Sequence, residues 1–419
     1  MKPETYLCID LKSFYASVEC VERGLDPFKT NLVVSDPSRG NGAICLAITP
    51  AMKALGIKNR CRIFEIPKNV EYIVAKPRMH RYMEVSAEIY SIYLQYISPE
   101  DIHVYSIDEC FIDATQYLPL YNKTPKELAI MLTDAVFQKT GICATAGIGT
   151  NLFLAKVALD ITAKHVPDHI GMLDENEFKR TIWKHKPITD IWNIGRGTAK
   201  RLEKYGIYDL KGVTEFPEEL LYKEFGINAE YLIDHANGKE SCTIKEIQNY
   251  QAKSCSISNS QILFEDYSYE DAFTVIKEMV DMQVLELIEK HMVSDSISLY
   301  VGYSKDIAKA TGGTRKIGEF TDSYKKILSH FESLYRETTN KDFPIRKLSV
   351  GLNNLQDETM ATITFFTDFE AEERERKIQR TMLSIKHKYG KNAILKGTSY
   401  TEKGTARSRN KLIGGHNGY

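Results

Sequence analysis

The sequence predicts an α+β chain of several domains, and three observations carry that expectation. Its 419 residues are too many for one ordinary core and suit two to four domains. With 43% hydrophobic and 26% charged residues, the composition is that of a folded globular protein. The amino-terminal part runs strand, helix, two strands, helix, strand, which is the split βαβ arrangement.

The elements follow in order. Tyr6 to Ile9 is an apolar, strand-like run that ends at Asp10. Ser13 to Val21 is predicted as a helix from its apolar positions Phe14, Val18 and Val21, and Gly24-Leu25-Asp26-Pro27 breaks it. Strands Leu32 to Ser35 and Ala43 to Ile48 flank a Pro- and Gly-containing loop, and Pro50 opens a short helix that Gly56 ends. Met79 to Ile97 is a long amphipathic helix. His103 to Ile107 and Cys110 to Ala114 form a strand pair, Lys126 to Lys139 a helix, and Thr145 to Gly149 a strand end. Asn151 is an N-cap for a helix from Leu152 to Lys164.

Ile188 to Val213 contains a Gly-x-Gly turn, Gly195-Arg196-Gly197, before a basic helix with Lys200. The polar stretch Lys239 to Lys253 reads as a linker. Strands are then expected at Ser254 to Ile262, Ser296 to Val301 and Arg346 to Gly351, with helices at Ser268 to His291 and Asp322 to Thr338. Lys305 to Lys316 completes the third strand or its loop.

Two acidic stretches carry the chemistry: CIDLKSFYASVE, from Cys8 to Glu19, and YSIDECFIDAT, from Tyr105 to Thr115. Each puts carboxylates at the end of an apolar run, Asp10 in the first and the Asp108-Glu109 pair in the second. If the two strands are antiparallel neighbours, three carboxylates converge. Such a set can hold two Mg²⁺ ions about 3.5–4 Å apart, the arrangement that stabilises attacking and leaving oxygens in phosphoryl transfer. That is nucleotidyl-transfer chemistry.

Both stretches resemble the catalytic motifs of the Y-family, translesion DNA polymerases, in the UmuC-like branch of Gram-positive bacterial type. The first is similar to that family's Asp-x-x-x-Phe-Tyr-Ala-Ser-x-Glu segment and the second to its Ser-Ile-Asp-Glu-x-x-x-Asp segment. The resemblance implies a multidomain right-hand polymerase covering roughly residues 1–365. A ferredoxin-like palm would occupy 1–25 and 76–185, small fingers 26–75, and a helical helix-hairpin-helix thumb 186–240. A linker at 241–252, an α/β little finger at 253–368 and a basic C-terminal tail at 369–419 would follow. The implied activity is template-directed, low-fidelity translesion synthesis by two-metal nucleotidyl transfer in a damage response. A catalytically weak, polymerase-like accessory protein that binds DNA or the repair machinery is the alternative.

Site residues follow from the same resemblance. Asp10, Asp108, Glu109 and the Leu11 carbonyl would hold two Mg²⁺ ions, with Asp113 no nearer than a second layer. Tyr15 matches the aromatic gate that excludes a 2′-hydroxyl, and Phe14 combines packing with backbone contact to phosphate. Many members carry a Tyr-x-x-Arg in the fingers helix where this chain has Pro50 and Lys53. Lysine binds phosphate as a point charge without arginine's fork, so weaker nucleotide affinity is expected. A second family lysine normally lies seven residues after the one matching Lys156; here Ala163 stands there and Lys164 follows.

For DNA, the Gly195 and Gly197 turn with Lys200 resembles a helix-hairpin-helix, whose backbone N–H groups hold a phosphate. Lys253, Ser254 and Ser256 resemble the first strand of the little finger, which lies along template phosphates. Thr362, Phe365 and Phe366 occupy the place of a sliding-clamp peptide, with Thr362 replacing the usual leading Gln. The partners implied are primer-template DNA and dNTP, with a sliding clamp, a recombinase filament or an accessory subunit as further candidates.

Net charge is −1, which conceals segregation: residues 370–419 hold 12 Lys and Arg against 5 Asp and Glu. Local positive charge, not the total, is what grips phosphate. The eight cysteines form no CxxC and no zinc-type spacing, so reduced, buried thiols are expected. No run approaches a membrane span and the amino terminus has no secretory apolar region, so a cytoplasmic location and no membrane partner are expected.

Overall fold

The computed structural model describes residues 4–252, 255–305, 307–362 and 368–419. It divides into two compact units, residues 1–250 with 417–419, and residues 251–416.

The first unit is built on a five-stranded sheet in the order Ile102–Val104, Glu109–Asp113, Tyr6–Leu11, Ala144–Gly149, Ile170–Leu173. The central strand Tyr6–Leu11 is antiparallel to both neighbours, pairing Tyr6 with Asp113 and Asp10 with Glu109 on one side, and Asp10 with Thr145 on the other. The four expected strands are therefore joined by a fifth, parallel to Ala144–Gly149, at Ile170–Leu173. Helices Met79–Tyr93, Pro125–Thr140 and Leu152–Asp160 complete the split βαβ pattern. The last ends four residues earlier than expected, passing into a 3₁₀ turn at Thr162–His165. Asn151 caps it as anticipated, its side chain accepting from the Leu154 N–H at 2.8 Å.

That helix approaches its strand unusually closely. A Cβ on Gly147 would lie 2.1 Å from the Ala155 carbonyl, and one on Gly149 2.2 Å from the Ala155 nitrogen. Only glycine permits this contact, which presses Lys156 against the sheet.

Between the first helix, Phe14–Glu22, and Met79 lies a small three-stranded sheet in the order Ala47–Ile48, Leu32–Val34, Ile73–Ala75. Its core includes Val33, Cys45, Ile48, Met52 and Cys61. The expected strand from Ala43 shrinks to Ala47–Ile48, because Ile44 bridges to Arg62 instead. The helix Pro50–Ala54 projects from this sheet. Further along, helices Arg196–Glu203, Leu210–Thr214, Glu218–Phe225 and Asn228–Ala236 share a core with Phe153, Leu154 and Val157 of the palm-like layer.

The stretch expected as a linker contains a helix, Ile244–Asn249, capped by Thr243 and Glu246. Ile244 is buried with Tyr6, Cys8 and Phe111, and Gln248 donates to the Ile102 carbonyl at 3.1 Å.

The second unit has a four-stranded antiparallel sheet in the order Thr311–Thr321, Met292–Tyr303, Ile345–Asn353, Ile257–Tyr267. Helices Tyr269–Glu289 and Tyr324–Thr338 bury one face of it around Met279, Val284, Ile297, Phe331 and Val350. The tail forms a third helix, Phe369–Tyr389, joined to Tyr324–Thr338 and the residue before its cap by Lys326–Glu372 at 2.7 Å and a bidentate Arg376–Asp322 pair at 2.9 Å. After it, Thr405 and Ala406 donate their N–H groups to buried Glu278 at 2.8 and 3.0 Å. Residues 369–416 are thus part of this unit's folded body.

Candidate active site

Strand pairing brings the acidic residues together. Asp10 and Glu109 are direct cross-strand partners, and Asp108 sits just before Glu109 at the bend, its carbonyl accepting from the Leu11 N–H at 2.9 Å. Because strand residues alternate, Cys8, Asp10 and Glu109 share the sheet face covered by the helix Leu152–Asp160. Glu109 Oε1 accepts from the Cys8 thiol at 3.0 Å and lies 2.6 Å from Lys156 Nζ, which also reaches Asp160 at 3.1 Å. Asp108 accepts from the Ser106 hydroxyl at 2.8 Å.

Burial, with Asp108 and Glu109 nearby, pushes the Asp10 carboxyl up to about 7. Burial pulls Lys156 down, but Asp160, Cys8 and Glu109 together outweigh it and hold the ammonium charged. Among the described residues no three acidic, His or Cys side chains meet around one metal-sized point. The donor set nevertheless fits divalent cations: three hard oxygen ligands on adjacent strands, one of them destabilised by its like-charged neighbours. Asp113 stands apart at the Tyr6 end of the strand, accepting from the Thr115 N–H at 3.0 Å.

Phe14 is buried at the start of its helix, after Ser13 in left-handed backbone at φ 50°. Tyr15 is half-buried and stacks on Tyr82, with ring centroids 4.5 Å apart. The Tyr82 hydroxyl donates to Glu19 at 2.8 Å, and that fully buried carboxylate also receives Arg78 at 2.9 Å and Arg23. Burial and then Asp108 raise the Tyr15 pKa, while Arg60 opposes them. Arg60, exposed and in left-handed backbone at φ 59°, lies within electrostatic reach of Tyr15 without a direct contact between them among those described.

Lys53 and Lys164, far apart in sequence, are electrostatic neighbours. Desolvation and Lys164 lower the Lys53 pKa, opposed by Asp10 and Asp108, although Lys53 keeps much of its surface exposed. Lys53 therefore lies within electrostatic reach of Asp10 and Asp108, with Lys164 near it.

Gly195 precedes the helix Arg196–Glu203 in extended backbone, and Gly195, Gly197 and Lys200 are all exposed, with open space where a Cβ would stand on either glycine. In the second unit, Ser256 is exposed, while Lys253 and Ser254 lie outside the described residues. The sheet's uncovered face carries Ser258, Ser260, Lys347, Ser349, Ser298 and Tyr300 on adjoining registers. Lys347 sits 5.2 Å over the Tyr300 ring, beside a shallow cavity of about 350 Å³ lined by Gly312, Gly313 and Thr314. Period-two alternation of Ser with apolar residues was the available signal for this surface. Thr362 exchanges hydrogen bonds with Phe320, at 2.9 Å to its carbonyl and 2.8 Å from its N–H. Phe365 and Phe366 lie outside the described residues.

The five-stranded sheet with carboxylates on adjacent strands, the small three-stranded sheet and the helical layer are compatible with a polymerase class, and comparison with known proteins identifies it. The model of the impB/mucB/samB family matches residues 9–160, and that of the family's C-terminal domain matches residues 254–365. UvrX of Bacillus subtilis (strain 168) is 33% identical over 98% of this chain and 97% of its own length. DNA polymerase IV 2 of the same strain is 30% identical over 99% of both chains, and DNA polymerase IV 2 of Halalkalibacterium halodurans is 29% identical over 97% and 98%. Among solved structures, a Y-family DNA polymerase chimera of Dbh and Dpo4 matches with a TM-score of 0.62 at 20% identity, over 84% of this chain and 99% of that one.

The chain belongs to the impB/mucB/samB family, the UmuC-like Y-family DNA polymerases. It is a DNA-directed DNA polymerase of translesion type, and membership implies primer-template DNA, dNTP and divalent metal as its working set. No helix among the described residues is long and apolar enough to cross a membrane.

Proposed function

We propose that this polymerase performs low-fidelity translesion synthesis in a DNA-damage response, with Asp10, Asp108 and Glu109 as its metal-binding carboxylates. The observation that carries the reading is the register: Asp10 opposite Glu109, with Asp108 at the adjoining bend. Two Mg²⁺ ions bound there, with the Leu11 carbonyl as a further ligand, would stabilise charge on the attacking 3′-oxygen and the departing pyrophosphate.

The chain's own residues do the rest. Lys53 and Lys164 attract the triphosphate as point charges. Phe14 holds the helix start in place, and the Tyr15 ring, supported by Tyr82, closes the space a 2′-hydroxyl would need. Backbone N–H groups at Gly195 and Gly197, with Lys200, suit a DNA phosphate. Ser256 and the Ser- and Lys-bearing sheet face suit phosphates without reading bases, which fits damaged templates. UvrX, whose name assigns it to UV-damage repair, supports the same placement. A sliding clamp at Thr362, Phe365 and Phe366, and a recombinase filament or accessory subunit, complete the proposed partners; the proposed location is the cytoplasm.

Pro50 and Lys53, in place of the family's Tyr and Arg, favour a second reading as a catalytically weak accessory protein. Primer extension with Mg²⁺ separates the two. Asp108→Ala or Glu109→Ala should slow nucleotide addition by about a thousandfold while primer-template binding changes only a few-fold, since these groups stabilise developing charge and do not grip DNA. Extension unchanged in the double variant would remove this active site.

A further inference from the structure

The ammonium of Lys156 is spent on a carboxylate that the proposed chemistry needs. It lies 2.6 Å from Glu109 Oε1, with both side chains about nine-tenths buried, at 9% and 11% exposure. The same oxygen also accepts the Cys8 thiol at 3.0 Å. An ionised carboxylate oxygen has two lone-pair sites, so Oε1 is filled and Oε2 alone is left without exchange. The second partner of Lys156, Asp160, is one turn further along the same helix at 3.1 Å and 31% exposed.

We infer that Lys156 is a positioning residue that acts as an internal counter-ion, competing with the divalent metal for Glu109 and withdrawing toward Asp160 when metal binds. The inference rests on the metal reading above. Three carboxylates, Asp10, Glu109 and Asp160, surround this ammonium electrostatically or by direct contact, and Asp108 adds its charge beside Asp10. In a poorly solvated setting that surplus is costly, and a single lysine relieves only part of it. The helix backbone already rests directly on the strand at Gly147 and Gly149, so it holds the lysine's Cα close to Glu109. The adjustment therefore falls to the lysine side chain. In the metal-free protein it keeps Glu109 paired; in the loaded protein it yields Glu109 and keeps Asp160.

The test measures Mn²⁺ affinity by electron paramagnetic resonance on the full-length protein with primer-template bound, alongside melting temperature in EDTA and in Mn²⁺. Lys156→Met should bind Mn²⁺ about fivefold or more tightly than wild type, because the competitor is gone. It should also melt lower in EDTA and show a larger Mn²⁺-induced rise. Asp160→Asn should do the opposite and weaken Mn²⁺ binding, since Lys156 then has Glu109 as its sole carboxylate contact. Asp10→Asn should lower the affinity and so report that the ion counted is the one at this site. Equal affinities in wild type, Lys156→Met and Asp160→Asn would overturn the competition while leaving the metal reading intact. No Mn²⁺ bound by wild type, or binding indifferent to Asp10→Asn, would overturn the metal reading and the competition with it.

Discussion

Tyr15 depends on what supports it. Its ring rests on Tyr82, whose hydroxyl is tied to a buried Glu19 held by Arg78 and Arg23. Tyr15→Ala should raise CTP use relative to dCTP opposite template G by roughly tenfold or more, about 1.4 kcal/mol of lost discrimination, with dNTP polymerisation retained. The ratio of kcat/KM values for the two nucleotides is the measurement, and an unchanged ratio removes Tyr15 as the gate. Tyr82→Phe keeps the stacked ring and deletes only the hydroxyl. It should cost about 1–2 kcal/mol in urea unfolding, the worth of a buried hydrogen bond to a carboxylate, while leaving sugar selection within about twofold. The placement of Asp10, Asp108 and Glu109 at neighbouring strand ends is legible in the sequence, because strand periodicity and an end-of-strand position say where such side chains go. Arg60's backbone, Lys156's hold on Glu109 and Glu19's cage are not, because each depends on a partner delivered by a distant element or on a backbone angle no residue type announces.

The sequence marks a helix start where a cap and an apolar stripe agree, as at Asn151, whereas the Thr124–Glu127 capping box that sets the helix Pro125–Thr140 shows only in the structure. Ile244–Asn249 carried the same Thr-x-x-Glu signal but lay hidden in polar composition. The strand Ile170–Leu173 has no local signal, because it forms only by parallel pairing across a helix, a long-range event. The helix Phe369–Tyr389 looks solvated by composition, and it docks through ion pairs and a narrow seam at Gln379, Met382 and Leu383. Its sequel is fixed by Glu278, which accepts the N–H groups of Thr405 and Ala406 and the Thr405 hydroxyl in a buried setting. Glu278→Ala strands those donors and should destabilise the second unit by about 3 kcal/mol. Hydrogen exchange should quicken from Thr405 to Arg409, and protection equal to wild type there would mean that the carboxylate is dispensable.

Across the molecule, likeness to relatives is end to end, with 97–99% of UvrX and of the Bacillus polymerase aligned, whereas the family models stop at residue 365. The two extents describe different things. A family model ends where sequences cease to resemble one another; a fold ends where chain ceases to contribute atoms to an interior. Here the second boundary lies some fifty residues beyond the first. A version of this enzyme cut at the family boundary would expose the helix Tyr269–Glu289 along the side where Leu383 packs and leave the Glu278 carboxylate buried without its donors. Such a protein would be a folding mutant before it was a catalytic one, and its inactivity would say nothing about the carboxylates at the other end of the chain.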